Sequence, residues 1–254
     1  MAIALTRQVS SQIGRCELTH LQRQSINYAL ASEQHRAYEQ TLQALGLHVV
    51  SLPPECDFPD SVFVEDTALV LDGFAVMMCP GAESRRGEVP SIAQALQPYR
   101  QLYYLQHPAI VDGGDILVIG KHVYIGLSSR SNHDAVCQLT EILEPRGYMV
   151  TPVEVRGCLH LKSAVTLVAE NTLLINPAWI DTGIFSDYKI IPVDPKEPQG
   201  ANALLIAENV IYPAGFPGTA GRLRRHGLDV IELDVSELMK AEGAVTCCSL
   251  LLNT

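Results

Sequence analysis

Short apolar runs broken by Gly, Asn or Asp recur along this chain, and between them lie stretches whose apolar residues follow a helical period. Met1 to Leu5 reads as a first strand and Arg7 to Thr19 as a polar loop. Residues 27 to 45 set Leu30, Ala37, Tyr38, Leu42 and Leu45 at helical spacing, and Gly46 ends that helix. His48 to Leu52 is the next strand, and the pair Pro53-Pro54 opens a loop leading to Phe58–Asp66.

From Asp66 onward one pattern repeats: a polar residue, an apolar strand, a turn, and a second apolar strand. The copies begin at Asp66, Asp115, Ser163 and Asn202, at intervals of 49, 48 and 39 residues, and a further 45 residues reach Cys247. Cys247 therefore leads a fifth copy, which breaks off at Asn253-Thr254. Its second strand has to come from elsewhere, and Ala2 to Leu5 is the obvious donor. Ser91 to Tyr99, Asn132 to Arg146 and Thr219 to His226 read as helices, the latter two followed by strands Met149 to Val153 and Asp229 to Leu233. Each unit is thus hairpin, helix, strand, which buries its faces only against its neighbours. The expected object is a closed ring of five units whose lead residues converge on a common axis. Val245 to Cys247, continued by Leu250 to Leu252, reads as a short buried strand in which Cys247 and Cys248 point to opposite faces.

Composition narrows the partners. The 254 residues are 47% hydrophobic, ample for a sizeable core, and one domain covering 1–254 is expected. A net charge of -10 without a long basic run argues against nucleic acid and suits a small cationic ligand. Seven scattered cysteines without a CxxC pair are neither a disulfide framework nor a zinc site. MAIALTRQVSSQ does not read as a signal peptide, and no apolar run approaches the ~20 residues of a membrane helix. The expectation is a cytoplasmic protein with no membrane partner, monomeric or homodimeric, in a reducing compartment.

The candidate chemistry centres on a thiol. A cysteine nucleophile needs an acid or base and an orienting carboxylate nearby. His160 and Asp112 each stand three residues ahead of a lead position, although a core histidine and an Asx turn at Asp-Gly-Gly are equally open readings. Glu65 and Asp66 follow the apolar Val62-Phe63-Val64 and call for a cationic partner, either a protein arginine or a guanidinium ligand. Arg85 and Arg130 each follow the second strand of a hairpin, where a guanidinium can grip a carboxylate bidentately.

FPDSVFVED (58–66), PGAESRRGE (80–88), DGGDIL (112–117), YIGLSSRSN (124–132), LHLKS (159–163) and the TCCSLL tail together resemble the dimethylarginine dimethylaminohydrolases. That family belongs to the guanidino-group-modifying superfamily of five-bladed α/β-propellers, the penteins. The resemblance spans nearly the whole chain and keeps the motifs in order. It implies hydrolysis of Nω-methylated arginine to citrulline and a methylamine, a small-molecule substrate, and no metal or organic cofactor. Carried over residue by residue, it makes Cys247 the nucleophile and His160 the general acid and base, with Asp112 beside it where some bacterial relatives have Glu. Glu65 and Asp66 then hold the guanidinium, and Arg85 and Arg130 the substrate carboxylate. Asp60 and the carbonyls around Leu18 and Ala241 face its α-amino group. A bound cation next to Cys247 favours the thiolate. Single-cysteine relatives carry another residue at position 248. Two other readings suit the same ring: another guanidino hydrolase such as an arginine deiminase, commonly longer through an inserted helical domain, and a non-catalytic pentein that only binds.

Overall fold

The computed structural model describes residues 2–252, so Met1 and the expected chain end at Asn253-Thr254 lie outside it. The ring opens with β1 (Ile3–Arg7), helix α1 (Tyr28–Ala44) and β2 (His48–Leu52). The Asn27 side chain caps α1 by accepting from Leu30 N at 3.2 Å, and past the helix Gly46 turns the chain at φ +89, where a Cβ is disfavoured. The hairpin β3 (Ala68–Val70) and β4 (Phe74–Met77) follows, then α2 (Val89–Leu96) and β5 (Gln101–Tyr104). The next unit comprises β6 (Ile116–Ile119), β7 (His122–Leu127), α3 (His133–Leu143) and β8 (Met149–Glu154). A four-residue α4 (Leu161–Ala164) leads into β9 (Val165–Ala169), β10 (Thr172–Ile175) and β11 (Lys189–Pro192). The chain finishes with β12 (Leu204–Ile206), β13 (Asn209–Pro213), α5 (Pro217–Arg225), β14 (Asp229–Leu233), α6 (Ser236–Met239) and β15 (Leu250–Leu252).

Among the described residues five three-stranded sheets form, each with an antiparallel pair and a third strand parallel to the middle one. The fifth is closed as expected: β15 pairs with β1, Leu252 opposite Ile3 and Leu250 opposite Leu5, and β2 runs parallel on the other side. This is the pentein ring. Its apolar residues are buried in five clusters that join neighbouring elements; Leu117, Tyr124, Leu161 and Leu173, for example, weld the second sheet to the third. Each such side chain taken from water contributes roughly 1.5–3 kcal/mol. No helix among the described residues is long and apolar enough to cross a membrane.

Four details depart from the sequence reading. Arg7 ends β1 rather than starting a loop, and it is buried, donating to Pro53 O and Ser91 Oγ. The third unit lacks its helix: between β10 and β11 the segment holding Pro177, Asp181 and Gly183 makes only a 3-10 turn, Thr182–Phe185, capped by the Asp181 side chain. The strands β5 and β11 carry no clear alternation in the sequence and emerge only as the third members of their sheets. Cys247 and Cys248 lie in a turn, not a strand, because the chain folds back on Ala244: Ala244 N donates to Cys247 Sγ at 3.4 Å and Cys248 Sγ to Ala244 O at 3.6 Å.

Candidate active site

Every lead position sits at the turn entering its hairpin, so the five turns meet at the ring's axis. There they are tied by side chains. Asn202 Nδ2 donates to Lys162 O (3.1 Å) and to Thr246 Oγ1 (2.9 Å), Thr246 Oγ1 donates to Glu65 Oε2 (2.9 Å), and Lys162 pairs with Glu65 Oε1. Glu65 N also donates to Cys247 O at 3.1 Å, joining the first turn to the last. Burial raises the Glu65 carboxyl, and Lys162 opposes that rise.

The glycine pair of Asp112-Gly113-Gly114-Asp115 allows contact that no other residue permits. A Cβ at Gly113 would stand 1.9 Å from Glu65 O, and one at Gly114 2.5 Å from His160 Nδ1. Through that gap Gly114 N donates to Asp66 Oδ1 at 2.9 Å. Asp115, fully buried, stays behind the site: its Oδ1 accepts from Leu161 N at 2.9 Å and fixes the start of α4, directly after His160. Burial pushes its carboxyl up to about 6.

His160 Nε2 lies 3.0 Å from Asp112 Oδ2, so the shorter acid does reach the imidazole. Burial alone would lower the imidazole, but Asp66, Asp112 and Asp115 surround it and raise it to about 9. His160 is thus an imidazolium at neutral pH. Cys247, half-buried, is pushed up to about 12 by burial together with Glu65 and Asp66, and without a ligand it is a neutral thiol. Asp66 is held down at about 2, burial being outweighed by Arg85 and His160. Asp66, Asp112 and His160 offer oxygen and nitrogen atoms within 4.8 Å of one another, a set able to take a metal ion. Their charges already have partners, since Arg85 meets Asp66 at 2.6 Å and Arg130 lies 3.5 Å from Asp112.

Two cavities meet at Cys247, His160, Leu159, Glu242 and Gly243. The larger, 140 Å³, runs past Glu65 and Lys162 to Trp179, Phe216 and Met239. The smaller, 20 Å³, is lined by Asp60, Asp66, Arg85, Arg130 and Ala241. Asp60 accepts from Glu17 N at 3.0 Å, and burial raises its carboxyl. Leu18 lies next to that contact, half-buried against the core cluster of Ile13 and Phe63. Arg130 donates to Thr19 Oγ1 at 2.9 Å. Arg85 is bound closely within the protein, with Nη1 2.6 Å from Asp66 Oδ2 and Nε and Nη2 at 3.1 and 2.8 Å from Glu88. Cys248 is 1% exposed and lines neither cavity.

The structure therefore brings Cys247, His160, Asp112, Glu65, Asp66, Asp60, Arg85, Arg130 and Ala241 around one axial site, with Leu18 in the loop above it. Sequence reasoning passed over Lys162, Thr246, Glu88 and Glu242. Lys162 stands inside the LHLKS stretch and Glu88 inside PGAESRRGE, so both were in view without a role; the pairing that assigns them is long-range or one turn away.

The chain is similar to known proteins over most of its length. The family described as "N,N dimethylarginine dimethylhydrolase, eukaryotic" matches residues 6–191. The N(G),N(G)-dimethylarginine dimethylaminohydrolase of Pseudomonas aeruginosa is 40% identical over 226 residues, 88% of this chain and 89% of that protein. Among solved structures, a cysteine-to-serine variant of the Pseudomonas aeruginosa enzyme complexed with citrulline superposes with a TM-score of 0.93 at 36% identity, covering 98% of both chains. A histidine-to-glycine variant of a dimethylarginine dimethylaminohydrolase, as an adduct with S-methyl-L-thiocitrulline, gives 0.93 at 36% identity and covers 99% of this chain and 100% of that one. This chain belongs to the dimethylarginine dimethylaminohydrolase family.

Proposed function

We propose that the chain, working as one catalytic domain, hydrolyses Nω-methylated L-arginine to L-citrulline and a methylamine through a covalent intermediate on Cys247. The observation that carries this is the junction itself. A thiol and a carboxylate-oriented imidazolium both line the junction at which a cavity rich in acids and arginines meets a second, larger one.

In this reading the α-amino group lies toward Asp60 and the carbonyls near Leu18 and Ala241. Arg130 meets the substrate carboxylate, with Arg85 adding charge from behind its contacts to Asp66 and Glu88. The guanidinium lies against Asp66 and Glu65, whose oxygens keep spare lone pairs despite their protein partners. A cation at this spot offsets the two acids that raise the Cys247 thiol, so substrate binding itself favours the thiolate, and the thiol proton leaves to solvent because His160 already carries one. The thiolate adds to the central guanidinium carbon, forming the C–S bond. His160 gives its proton to the methylated nitrogen as the C–N bond breaks, leaving a thiouronium. His160 then takes a proton from water, which adds to the same carbon; the C–S bond breaks and citrulline leaves. Asp112 holds the imidazole for both proton transfers.

The seven free cysteines support a reducing, cytoplasmic setting. The test is citrulline formation by the purified protein from Nω,Nω-dimethylarginine, arginine and agmatine in parallel. Turnover confined to the methylated substrate is expected, abolished by Cys247→Ser and largely kept by Cys248→Ser. Equal loss in both variants, or preference for arginine or agmatine, overturns the assignment.

A further inference from the structure

Glu242 occupies a left-handed backbone conformation, φ +60, in the turn that follows α6. Such a position normally favours Gly or Asn, because a Cβ crowds the backbone there, and a longer side chain persists only where its surroundings hold it. The following residue is a glycine for a separate reason: a Cβ at Gly243 would stand 2.1 Å from the Phe63 ring. The turn is thus built to keep glycine at 243 while spending the left-handed residue on a glutamate.

Both oxygens of that glutamate's carboxylate are engaged. Its Oε2 accepts from Thr19 N at 2.8 Å, and its Oε1 accepts from His20 N and Leu21 N, both at 2.6 Å. Three consecutive backbone N–H groups, 221 to 223 residues away in sequence, converge on one side chain. Upstream, Asp60 accepts from Glu17 N, so Leu18 is spanned by two carboxylates, one on each side. The held segment also reaches the charged end of the site: Thr19 Oγ1 accepts from Arg130 Nη2. Glu242 itself lines both cavities, as do Cys247 and His160.

We infer that Glu242 is a positioning residue: its carboxylate latches the Thr19–Leu21 segment over the site and thereby sets the Leu18 carbonyl and Arg130 for the amino-acid end of the substrate. The inference rests on the reading above, in which that end lies toward Asp60 and Arg130. It acts on ground-state binding and leaves the thiol and imidazole untouched, so its loss weakens KM rather than kcat. The charge of the acceptor matters, since hydrogen bonds to a carboxylate are stronger than those to a neutral amide.

The test compares Glu242→Ala, Glu242→Gly and Glu242→Gln with the parent. Glycine removes the carboxylate and relieves the left-handed backbone; glutamine keeps size and one acceptor oxygen. KM for Nω,Nω-dimethylarginine rises about 10-fold or more in the Ala and Gly variants with kcat within about threefold, and Gln falls between. Without any substrate, hydrogen exchange at the Thr19, His20 and Leu21 amides quickens at least about tenfold in the same order. A Gly variant with parental KM and parental exchange, or a fall in kcat at constant KM, overturns the inference. If the parent turns over no methylarginine, the functional reading fails, whereas amide exchange still decides whether the latch exists.

Discussion

Replacing Asp112 with Asn removes the charge 3.0 Å from His160 Nε2 while keeping the size of the side chain. At that separation a unit charge is worth about 5.5 kcal/mol at an effective dielectric constant of about 20. Arg130, 3.5 Å from the same oxygen, cancels part of it, and Asp66 and Asp115 continue to act on the ring. His160 should therefore titrate about one to two pH units lower in the variant, equivalent to about 1.4–2.7 kcal/mol of preference for the imidazolium. The sign carries into stability. Because the folded-state imidazole is raised to about 9, its contribution is fully present below the unfolded value near ~6.5 and is lost as pH rises through about 9. The deficit of Asp112→Asn traceable to His160 is thus full below the variant's own titration at about pH 7–8, because the unfolded state is common to both proteins, and vanishes above about pH 9. Titration of ¹³C-labelled histidine, with His160→Gly identifying the signal, measures both values directly. A parent His160 titrating near ~6.5, or an unchanged value in the variant, would show that Asp112 does not hold the proton on the imidazole.

Two further substitutions probe the axis. Lys162→Met leaves Glu65 buried without its cation and should cost roughly 3–5 kcal/mol in urea unfolding at neutral pH; a loss under about 1 kcal/mol would mean that Thr246 alone satisfies the acid. Gly114→Ala drives a Cβ to within 2.5 Å of His160 Nδ1 and should lower kcat by about 100-fold with the ring still folded by circular dichroism. Parental kcat in that variant would show that the imidazole can shift without consequence.

How much of this was legible in the sequence depends on how local the signal is. The five hairpins, the closure of the fifth by the N-terminal strand, and the lead positions all follow from periodicity, because each hairpin buries its own alternating face. The cysteine turn did not. Val245, Leu250 and Leu252 have strand-like composition, yet Thr246 turns inward to Asn202 and Glu65, and that long-range bonding overrides local preference. The missing helix between β10 and β11 was written in Pro177 and Gly183, but the repeat suggested a helix in every unit. Asp112 against His160 could not be judged from spacing, since 48 residues separate them and only the glycine gap at 113 and 114 brings the chains together. Glu242 left no sequence signal at all: a lone glutamate before glycine looks like any surface turn, and only its left-handed backbone and three amide partners mark it.

In the proposed reaction Cys247 forms a covalent bond to the guanidino carbon and His160 is needed to resolve it. S-methyl-L-thiocitrulline separates the two roles, because its thiolate leaving group departs with far less help from an acid than an amine requires. Peptide mass spectrometry of the His160→Gly variant after incubation with this compound reads the outcome. A stable addition is expected, with fragment ions on Cys247 and not on Cys248, lost on adding Cys247→Ser. No addition, or an addition on Cys248 or another cysteine, would contradict it.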